Sequence, residues 1–193
     1  MEALVTRVGE KENPYLVEFY DVNCPFCAKA ALDVWGDLTS SGAYFELVYL
    51  PVHYAIWKDA GSPRTAEGSY LANLSAFCVD DPIQRVKYIL ELFKITASVR
   101  NEPKAIEEQL EYAGGRFGEL RNCVREKVGR LADDPELAYE LAHEYALSID
   151  AVVTGVPTAA VVDRGRAVEV RDGLGEVEEL IKKYLSGRRR APS

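Results

Sequence analysis

Apolar residues in the first third of the chain follow a pattern that predicts a β-α-β unit. The run Tyr15–Tyr20 has the length of a strand and is apolar except for Glu18, as expected for a central strand that is buried on both faces. Strong helix formers follow from Pro25 to Leu38, with proline in the first turn, where its missing N–H costs nothing. The apolar run Phe45–Val52 then predicts a strand parallel to the first, and Leu4–Val8 predicts a short edge strand.

The pattern changes to helical spacing in the middle of the chain. From Ala66 to Ile149 almost every stretch favours a helix, and apolar residues recur at intervals of three and four. One such set is Ile83, Val86, Ile89, Leu90 and Phe93. Helix-start signals interrupt the segment at Asn101-Glu102-Pro103 and at Ala132–Pro135. The segment therefore predicts an all-helical insertion of four or five short helices.

Strands return after Gly155. Thr158–Asp163, the turn Arg164-Gly165 and Ala167–Val170 predict a β-hairpin, and an amphipathic helix follows from Asp172-Gly173. The order β-β-α-β, helical insertion, β-β-α indicates the α/β class, with a central mixed sheet flanked by helices. We predict a sheet domain built from residues 1–60 and 150–187, a helical insertion at 61–149, and a basic tail at 188–193.

Composition narrows the classes of function. The net charge of −8 over 193 residues argues against a broad nucleic-acid-binding surface. No stretch approaches the roughly 18 apolar residues that a membrane span needs, so we expect no membrane insertion. No signal peptide is visible, which predicts a cytoplasmic protein, or a periplasmic or extracellular one if a signal was removed. One Met, two Gln and five Asn indicate a thermophile, in which intracellular disulfides are tolerated.

Two cysteines stand where the first long strand gives way to a helix, in the sequence Cys24-Pro25-Phe26-Cys27. A thiolate is the nucleophile of disulfide exchange, and the unpaired N–H groups at a helix start favour it, which in such sites lowers the thiol pKa from about 8.5 to between roughly 3.5 and 7. Cys27, one turn further on, would resolve a mixed disulfide. We therefore predict an exposed, attacking Cys24 and a more buried Cys27, with no cofactor beyond this dithiol or disulfide.

Two other interpretations of the cysteine pair remain open. A lone Cys-x-x-Cys can form half of a zinc site, but Cys78 and Cys123 stand alone, and His53 and His143 are not clustered, so we expect no metal. An inert structural disulfide is the second alternative. We assign His53 and His143 to the surface or to helix faces, with no chemical role.

A wider set of features resembles a known family. Glu18-Phe19-Tyr20-Asp21-Val22-Asn23 leading into the cysteine pair, the long helical insertion, and Thr154-Gly155-Val156-Pro157-Thr158 entering a strand resemble the thioredoxin fold as elaborated in DsbA-like thiol:disulfide oxidoreductases. The resemblance covers nearly the whole chain, from about Leu4 to Leu185. It implies that residues 1–60 and 150–187 form the thioredoxin-like domain.

The resemblance implies roles for several further residues. Pro157 matches a cis-proline loop beside the active-site cysteines, and a cis bond would turn the backbone of Val156 toward an extended substrate. We expect Pro25 and Phe26 to contact substrate as well. Glu18 matches a buried acid that relays a proton to or from Cys27, although an acid that simply reaches water is the alternative. The lysine that often pairs with this acid is absent from residues 45–53.

Two features depart from the family's pattern or leave it open. Strongly oxidising members carry Pro-His between the cysteines, whereas Phe26 offers neither a charge nor a hydrogen bond, so we expect a less depressed Cys24 pKa and a weaker oxidant. Cys123 resembles a cysteine position of many relatives, and a structural disulfide with Cys78 would contribute about 3–4 kcal/mol of stability. Two free buried thiols are the alternative.

Together these observations predict a thiol–disulfide oxidoreductase that acts on cysteine-containing protein substrates through a mixed disulfide and is recycled by an unidentified redox partner. Whether it oxidises, isomerises or reduces stays open. One alternative is a glutathione-linked transferase or isomerase of the same fold, against which the second cysteine argues. Another is a non-catalytic thioredoxin-fold module that binds peptides along the Val156 edge.

Overall fold

The computed structural model describes residues 3–114 and 117–188, and the strands in this part of the chain form one five-stranded sheet. The strands are β1 (Val5–Val8), β2 (Tyr15–Tyr20), β3 (Phe45–Tyr49), β4 (Thr158–Asp163) and β5 (Arg166–Asp172). Their order across the sheet is β1-β3-β2-β4-β5. Strand β2 runs parallel to β3 and antiparallel to β4, and both edge strands are antiparallel to their neighbours. The predicted α/β class with a mixed central sheet is confirmed.

Helices cover both faces of this sheet and form the insertion. They are α1 (Pro25–Ser40), α2 (Val52–Asp59), α3 (Pro63–Ser75), α4 (Pro82–Ser98), α5 (Glu102–Tyr112), α6 (Phe117–Val128), α7 (Pro135–Ser148) and α8 (Leu174–Arg188). Short 3-10 turns lie at Ala76–Cys78 and Gly129–Ala132. Five of these helices, α3 to α7, fall in the segment that was predicted to be helical.

Strand β2 is buried on both faces, as its apolar sequence predicts. Leu16 and Tyr20 belong to the larger core, which also contains apolar residues of α1, α4 and α8. Val17 and Phe19 point to the opposite face and join a smaller core that α7 covers. The alternation of side chains along a strand therefore divides one apolar run between two cores.

The insertion helices begin where the sequence supplies side-chain caps. Asp81, Asn101 and Asp134 each accept a hydrogen bond from the backbone N–H three residues ahead, and each is followed by a proline in the first turn. Both features favour a helix start, because the cap satisfies an otherwise unpaired N–H and proline lacks one. The predicted breaks at 101–103 and 132–135 are confirmed.

The predicted strand Phe45–Val52 is too long. Strand β3 ends at Tyr49, and Val52 already opens helix α2, which the sequence analysis did not predict. The physical reason is Pro51, which has no N–H for the strand ladder and immediately precedes the first turn of α2. The new helix begins at the sheet edge where the cysteine pair lies.

The two ends of α8 also refine the predictions. The helix starts at Leu174, directly after Gly173, whose φ of 80° favours glycine. Arg188, assigned to the basic tail, is the last residue of α8 and forms an ion pair with Glu12 at 2.6 Å. Residues 189–193 of the predicted tail lie outside the described residues. Within the described residues, no helix combines the length and apolarity that a membrane span requires.

Candidate active site at the cysteine pair

Cys24 occupies the N-cap position of α1. Its backbone is extended, at φ −78° and ψ 116°, and its sulfur accepts a hydrogen bond from the Cys27 N–H at 3.3 Å. Caps of this kind are usually serine, threonine, aspartate or asparagine, whose oxygen satisfies a free N–H of the first turn. A sulfur in the same position receives the same hydrogen bond and the same positive end of the helix dipole, and both favour the thiolate.

Both cysteines are free thiols and both are buried. Cys27 is fully buried, as predicted, but Cys24 is only 3% exposed, so the prediction of an exposed Cys24 is wrong. The Cys24 sulfur lies 3.7 Å from the carbonyl oxygen of Val156, and this loop helps to cover it. The Cys24 sulfur is therefore largely covered.

The two thiols have opposite pKa shifts. The hydrogen bond with the Cys27 thiol, followed by those with His53 and the Cys27 N–H, outweighs burial and lowers the pKa of Cys24 to about 6. Burial, together with the neighbouring Cys24 charge, raises the pKa of Cys27 well above its usual range. One thiol is thus prepared to attack near neutral pH, while the other keeps its proton.

His53 is buried beside the cysteine pair, so the expectation that it lies at the surface is wrong. It lies in the first turn of α2, is 9% exposed, and donates its backbone N–H to Asp21 Oδ2 at 3.0 Å. Its Nδ1 is 2.5 Å from Glu102 Oε1 of α5. Burial opposes its charge, but hydrogen bonds with Cys24 and Glu102 raise the pKa of His53 to about 10.

His53 bears on the expectation that was based on Phe26. Phe26 contributes no imidazole, but hydrogen bonding with His53, which follows the neighbouring strand, helps to lower the pKa of Cys24. A pKa of about 6 still lies above the lower end, roughly 3.5, of the range for such sites, so a less depressed pKa and a weaker oxidant stay a prediction. Phe26 itself is 60% exposed beside the site, and Pro25 lies in the first turn of α1.

Glu18 lies on β2 beneath the dithiol and is completely buried. Glu18 does not reach water, so the alternative of a strand-end acid exposed to solvent is wrong. Its Oε2 accepts a hydrogen bond from Trp35 Nε1 of α1 at 2.7 Å. Burial raises the pKa of Glu18 to about 8, although the Trp35 hydrogen bond works in the opposite direction. Glu18 can therefore gain and lose a proton near neutral pH.

A buried polar network fixes the loop that leads into Cys24. Asp21 accepts hydrogen bonds from the Asn23 N–H and from Asn73 Nδ2 of α3, each at 3.0 Å. The Asn23 side chain in turn donates to Gln109 of α5 at 2.6 Å and accepts from Ser69 of α3 at 2.7 Å. Because these partners belong to the insertion, the insertion helps to set the position of the Cys24 sulfur.

The loop that precedes β4 completes the mouth of the site. The Val156–Pro157 peptide bond is cis, Pro157 is buried and Val156 is half-buried. The Thr158 hydroxyl donates to the Gly155 carbonyl at 2.8 Å and so stabilises the turn. The Val156 carbonyl oxygen is directed at the Cys24 sulfur, 3.7 Å away.

Cys78 and Cys123 are joined in a disulfide with a Cα–Cα distance of 6.0 Å. The bond links the 3-10 turn after α3 to α6, away from the dithiol. It closes a loop between positions 45 residues apart inside the insertion. Among residues 3–114 and 117–188, no group of three or more His, Cys, Asp or Glu side chains could hold a metal ion.

Sequence reasoning missed His53, Asp21, Trp35 and Glu102. A signal for His53 was present, because Tyr20 and Tyr49 are partners in the parallel β2–β3 pair. Cys24 and His53 each come four residues after these partners, and the carboxyl ends of parallel strands meet at one sheet edge. No comparable signal points to Glu102, which comes from a helix packed against this edge by tertiary contacts alone.

Comparisons with known proteins agree with this fold. No protein-family model and no curated protein matches the sequence. Among solved structures, a variant of Wolbachia pipientis α-DsbA1 superposes with a TM-score of 0.61 at 13% identity, over 95% of this chain and 92% of its own. A thioredoxin-like oxidoreductase from Silicibacter pomeroyi gives a TM-score of 0.55 at 17% identity, over 97% and 94% of the two chains.

A third relative in structure is the thiol-disulfide exchange protein α-DsbA2 from Wolbachia pipientis, with a TM-score of 0.56 at 16% identity, over 94% of this chain and 86% of its own. Identities this low establish similarity of fold and nothing finer. Because the superpositions span nearly the whole of each chain, they include the helical insertion as well as the sheet. The resemblance to DsbA-like proteins is thus confirmed for the fold: this chain has a thioredoxin fold with a helical insertion.

Proposed function

We propose that this protein is a thiol–disulfide oxidoreductase that exchanges disulfides with cysteine-containing proteins. The observation that carries the proposal is the position of Cys24, whose sulfur caps α1 and accepts the Cys27 N–H, with a pKa lowered to about 6. The similarity to structures described as a thioredoxin-like oxidoreductase and a thiol-disulfide exchange protein supports it.

The reaction proceeds in two exchange steps. The Cys24 thiolate attacks one sulfur of a substrate disulfide, the substrate S–S bond breaks, and the other substrate sulfur leaves as a thiolate. Cys27 then loses its proton and attacks the Cys24 sulfur, which releases the second substrate thiolate and leaves a Cys24–Cys27 disulfide. Two electrons pass from the protein to the substrate. The reverse sequence oxidises two substrate thiols, and a separate redox partner restores the starting state.

Glu18 is the proton carrier for Cys27 in this proposal. A buried thiol with a raised pKa needs a base before it can attack, and a carboxyl with a pKa of about 8 exchanges protons near neutral pH. Phe26, Pro25 and the Val156–Pro157 loop form the substrate contact. An extended substrate pairs with the Val156 backbone, and the exposed Phe26 ring packs against its apolar side chains.

The lowered Cys24 pKa limits the expected reduction potential but leaves the direction of exchange open. A stable thiolate stabilises the reduced protein and so makes the disulfide a better oxidant. A value of about 6 lies between the roughly 7 of thioredoxin and the roughly 3.5 of DsbA. We therefore expect a reduction potential between about −270 and about −120 mV, measured by equilibration with glutathione buffers.

The decisive experiment traps the intermediate. Cys27→Ala removes the resolving thiol, so incubation with oxidised insulin should accumulate a mixed disulfide at Cys24, detected by non-reducing electrophoresis and peptide mass spectrometry. Cys24→Ala is the matched control and should give no adduct. If Cys27→Ala forms no adduct and the wild-type protein exchanges no disulfide, the non-catalytic binding module is the better assignment. Preferential adducts with glutathione would favour the glutathione-linked alternative.

A further inference from the structure

We propose that His53, held by Glu102, is a catalytic residue that donates a hydrogen bond from its charged imidazole to the Cys24 thiolate. This role rests on the exchange function proposed above and deepens it. The side chains of Pro25 and Phe26 cannot donate a hydrogen bond to the Cys24 thiolate. In this proposal His53, which lies outside the Cys-x-x-Cys sequence, donates it.

The backbone places His53 beside Cys24. Strands β2 and β3 are parallel and end together at Tyr20 and Tyr49. The Leu50 N–H donates to the Tyr20 carbonyl at 3.0 Å, and the His53 N–H donates to Asp21 Oδ2 at 3.0 Å, so the start of α2 is tied to the loop that precedes Cys24. The backbone of His53 is therefore held beside Cys24 by hydrogen bonds at Leu50 and at His53 itself.

Glu102 determines the protonation of the ring. Its Oε1 lies 2.5 Å from His53 Nδ1 and also accepts a hydrogen bond from Trp57 Nε1 at 2.7 Å. A carboxylate held at Nδ1 keeps a proton on that nitrogen and leaves Nε2 as the other donor of the ring. Interaction with Cys24 raises the pKa of His53 and lowers the pKa of the Cys24 thiol. The buried His53 imidazole thus interacts with Cys24 and Glu102, both of which are negatively charged when deprotonated.

The charges around the ring agree with a cation at this position. The titratable and charged groups that act on His53 are Cys24 of α1, Asp21 of the loop after β2, and Glu102 of α5. Each of these carries negative charge or acquires it when deprotonated, and each favours the charged imidazole. Burial strengthens such pairs, because fewer water molecules screen them.

The other histidine offers an internal control. His143 is half-buried on α7, its Nδ1 lies 3.1 Å from the Tyr139 carbonyl oxygen one turn earlier, and its ring packs on that tyrosine. It belongs to a helix on the far face of the sheet from the dithiol. A variant at each histidine therefore separates a local effect on Cys24 from the general effect of losing an imidazole.

The first experiment reads the Cys24 thiolate directly. The reduced protein is alkylated with iodoacetamide across a pH series, and the modification of the Cys24 peptide is timed by mass spectrometry. His53→Gln should move the midpoint upward by at least one pH unit, which is a tenfold loss of thiolate below the midpoint. His143→Gln should leave the midpoint unchanged. A folded His53→Gln protein with the wild-type midpoint would overturn the proposal.

The second experiment needs no substitution at His53 and so does not depend on the folding of that variant. The ring pKa of each histidine is measured by NMR in the reduced wild-type protein, in Cys24→Ser and in Glu102→Gln. Each substitution removes an anionic partner, so the pKa of His53 should fall in both variants while that of His143 stays constant. Equal His53 values in the wild-type protein and Cys24→Ser would refute the pairing.

These readouts are independent of turnover. If Cys27→Ala traps no substrate but the alkylation and NMR shifts appear, the exchange function fails and the His53–Cys24 pair stands. If substrate is trapped and neither shift appears, the exchange function stands and the role of His53 fails.

Discussion

Replacing Glu18 by Gln should stabilise the protein, and by an amount that depends on pH. Glu18 is fully buried, and its Oε1 has no hydrogen-bond partner among the described residues, so no donor at this oxygen offsets the cost of burying a negative charge. Burial raises the pKa of the carboxyl to about 8 from 4.5. Gln has nearly the same shape and can keep an acceptor on Trp35 Nε1, but it cannot ionise.

The sign and size of the effect follow from linkage. Below pH 4.5 the carboxyl is protonated in the folded and the unfolded chain, so it contributes no pH dependence. Between pH 4.5 and about 8 the unfolded chain releases a proton that the folded chain retains, and the free energy of unfolding falls by about 1.4 kcal/mol per pH unit. At pH 7 the accumulated cost is about 3 kcal/mol, and Glu18→Gln should recover it.

The assay is urea unfolding, followed by far-UV circular dichroism between pH 4.5 and 8.5. Serine at both Cys24 and Cys27 removes thiol titration and leaves the Cys78–Cys123 bond intact without reductant. The difference between Glu18→Gln and its parent should grow with pH up to about 8 and then level off. Glu140→Gln, at an exposed site on α7, is the matched control for the loss of one carboxylate. A difference that is constant across this range would refute a buried, protonated Glu18.

Two further predictions concern the insertion. Replacing both Cys78 and Cys123 by Ser should lower the free energy of unfolding by about 4 kcal/mol, because a cross-link across 45 residues restricts the unfolded chain. A single Cys78→Ser variant should lose nearly as much. Equal stability with and without the disulfide would contradict the loop-entropy account. Gly68→Ala on α3 should lower the free energy of unfolding by about 1–2 kcal/mol, measured by thermal or urea unfolding, since the added Cβ would lie 2.9 Å from Ile106 Cγ2. Gly36→Ala lies on the exposed face of α1, where an added Cβ would meet no atom within 4 Å, and it should raise the free energy of unfolding by up to about 1 kcal/mol.

Local sequence signals predicted much of the fold. Strand β2 was identified because its six residues are nearly all apolar, which suits burial on two faces, and the structure buries all six. The starts of α4, α5 and α7 were marked by caps and prolines whose hydrogen bonds are local. Helix α2 was missed because its apolar residues continue those of β3, and only the position of Pro51 separates the two elements.

The candidate site was predicted only in part. The cysteine pair at a strand–helix junction, the buried acid Glu18 and the Val156–Pro157 loop were all visible in the sequence. The burial of Cys24 was not, since the residues that cover it come from distant segments. His53 was assigned to the surface because a single histidine after an apolar run gives no local sign of what it faces.

The sequence by itself determined the order of elements, the two cysteines at the start of α1, and the spacing that allows one to resolve the other, because these depend on neighbours within a few residues. The tertiary structure decided the electrostatics of Cys24. Its sulfur receives the Cys27 N–H locally, but its imidazole comes from the end of β3, the carboxylate behind that ring from α5, and the nearby carbonyl from the loop before β4. Hydrogen bonds act only over a few ångströms, so chain folding alone brings these groups within range of one sulfur.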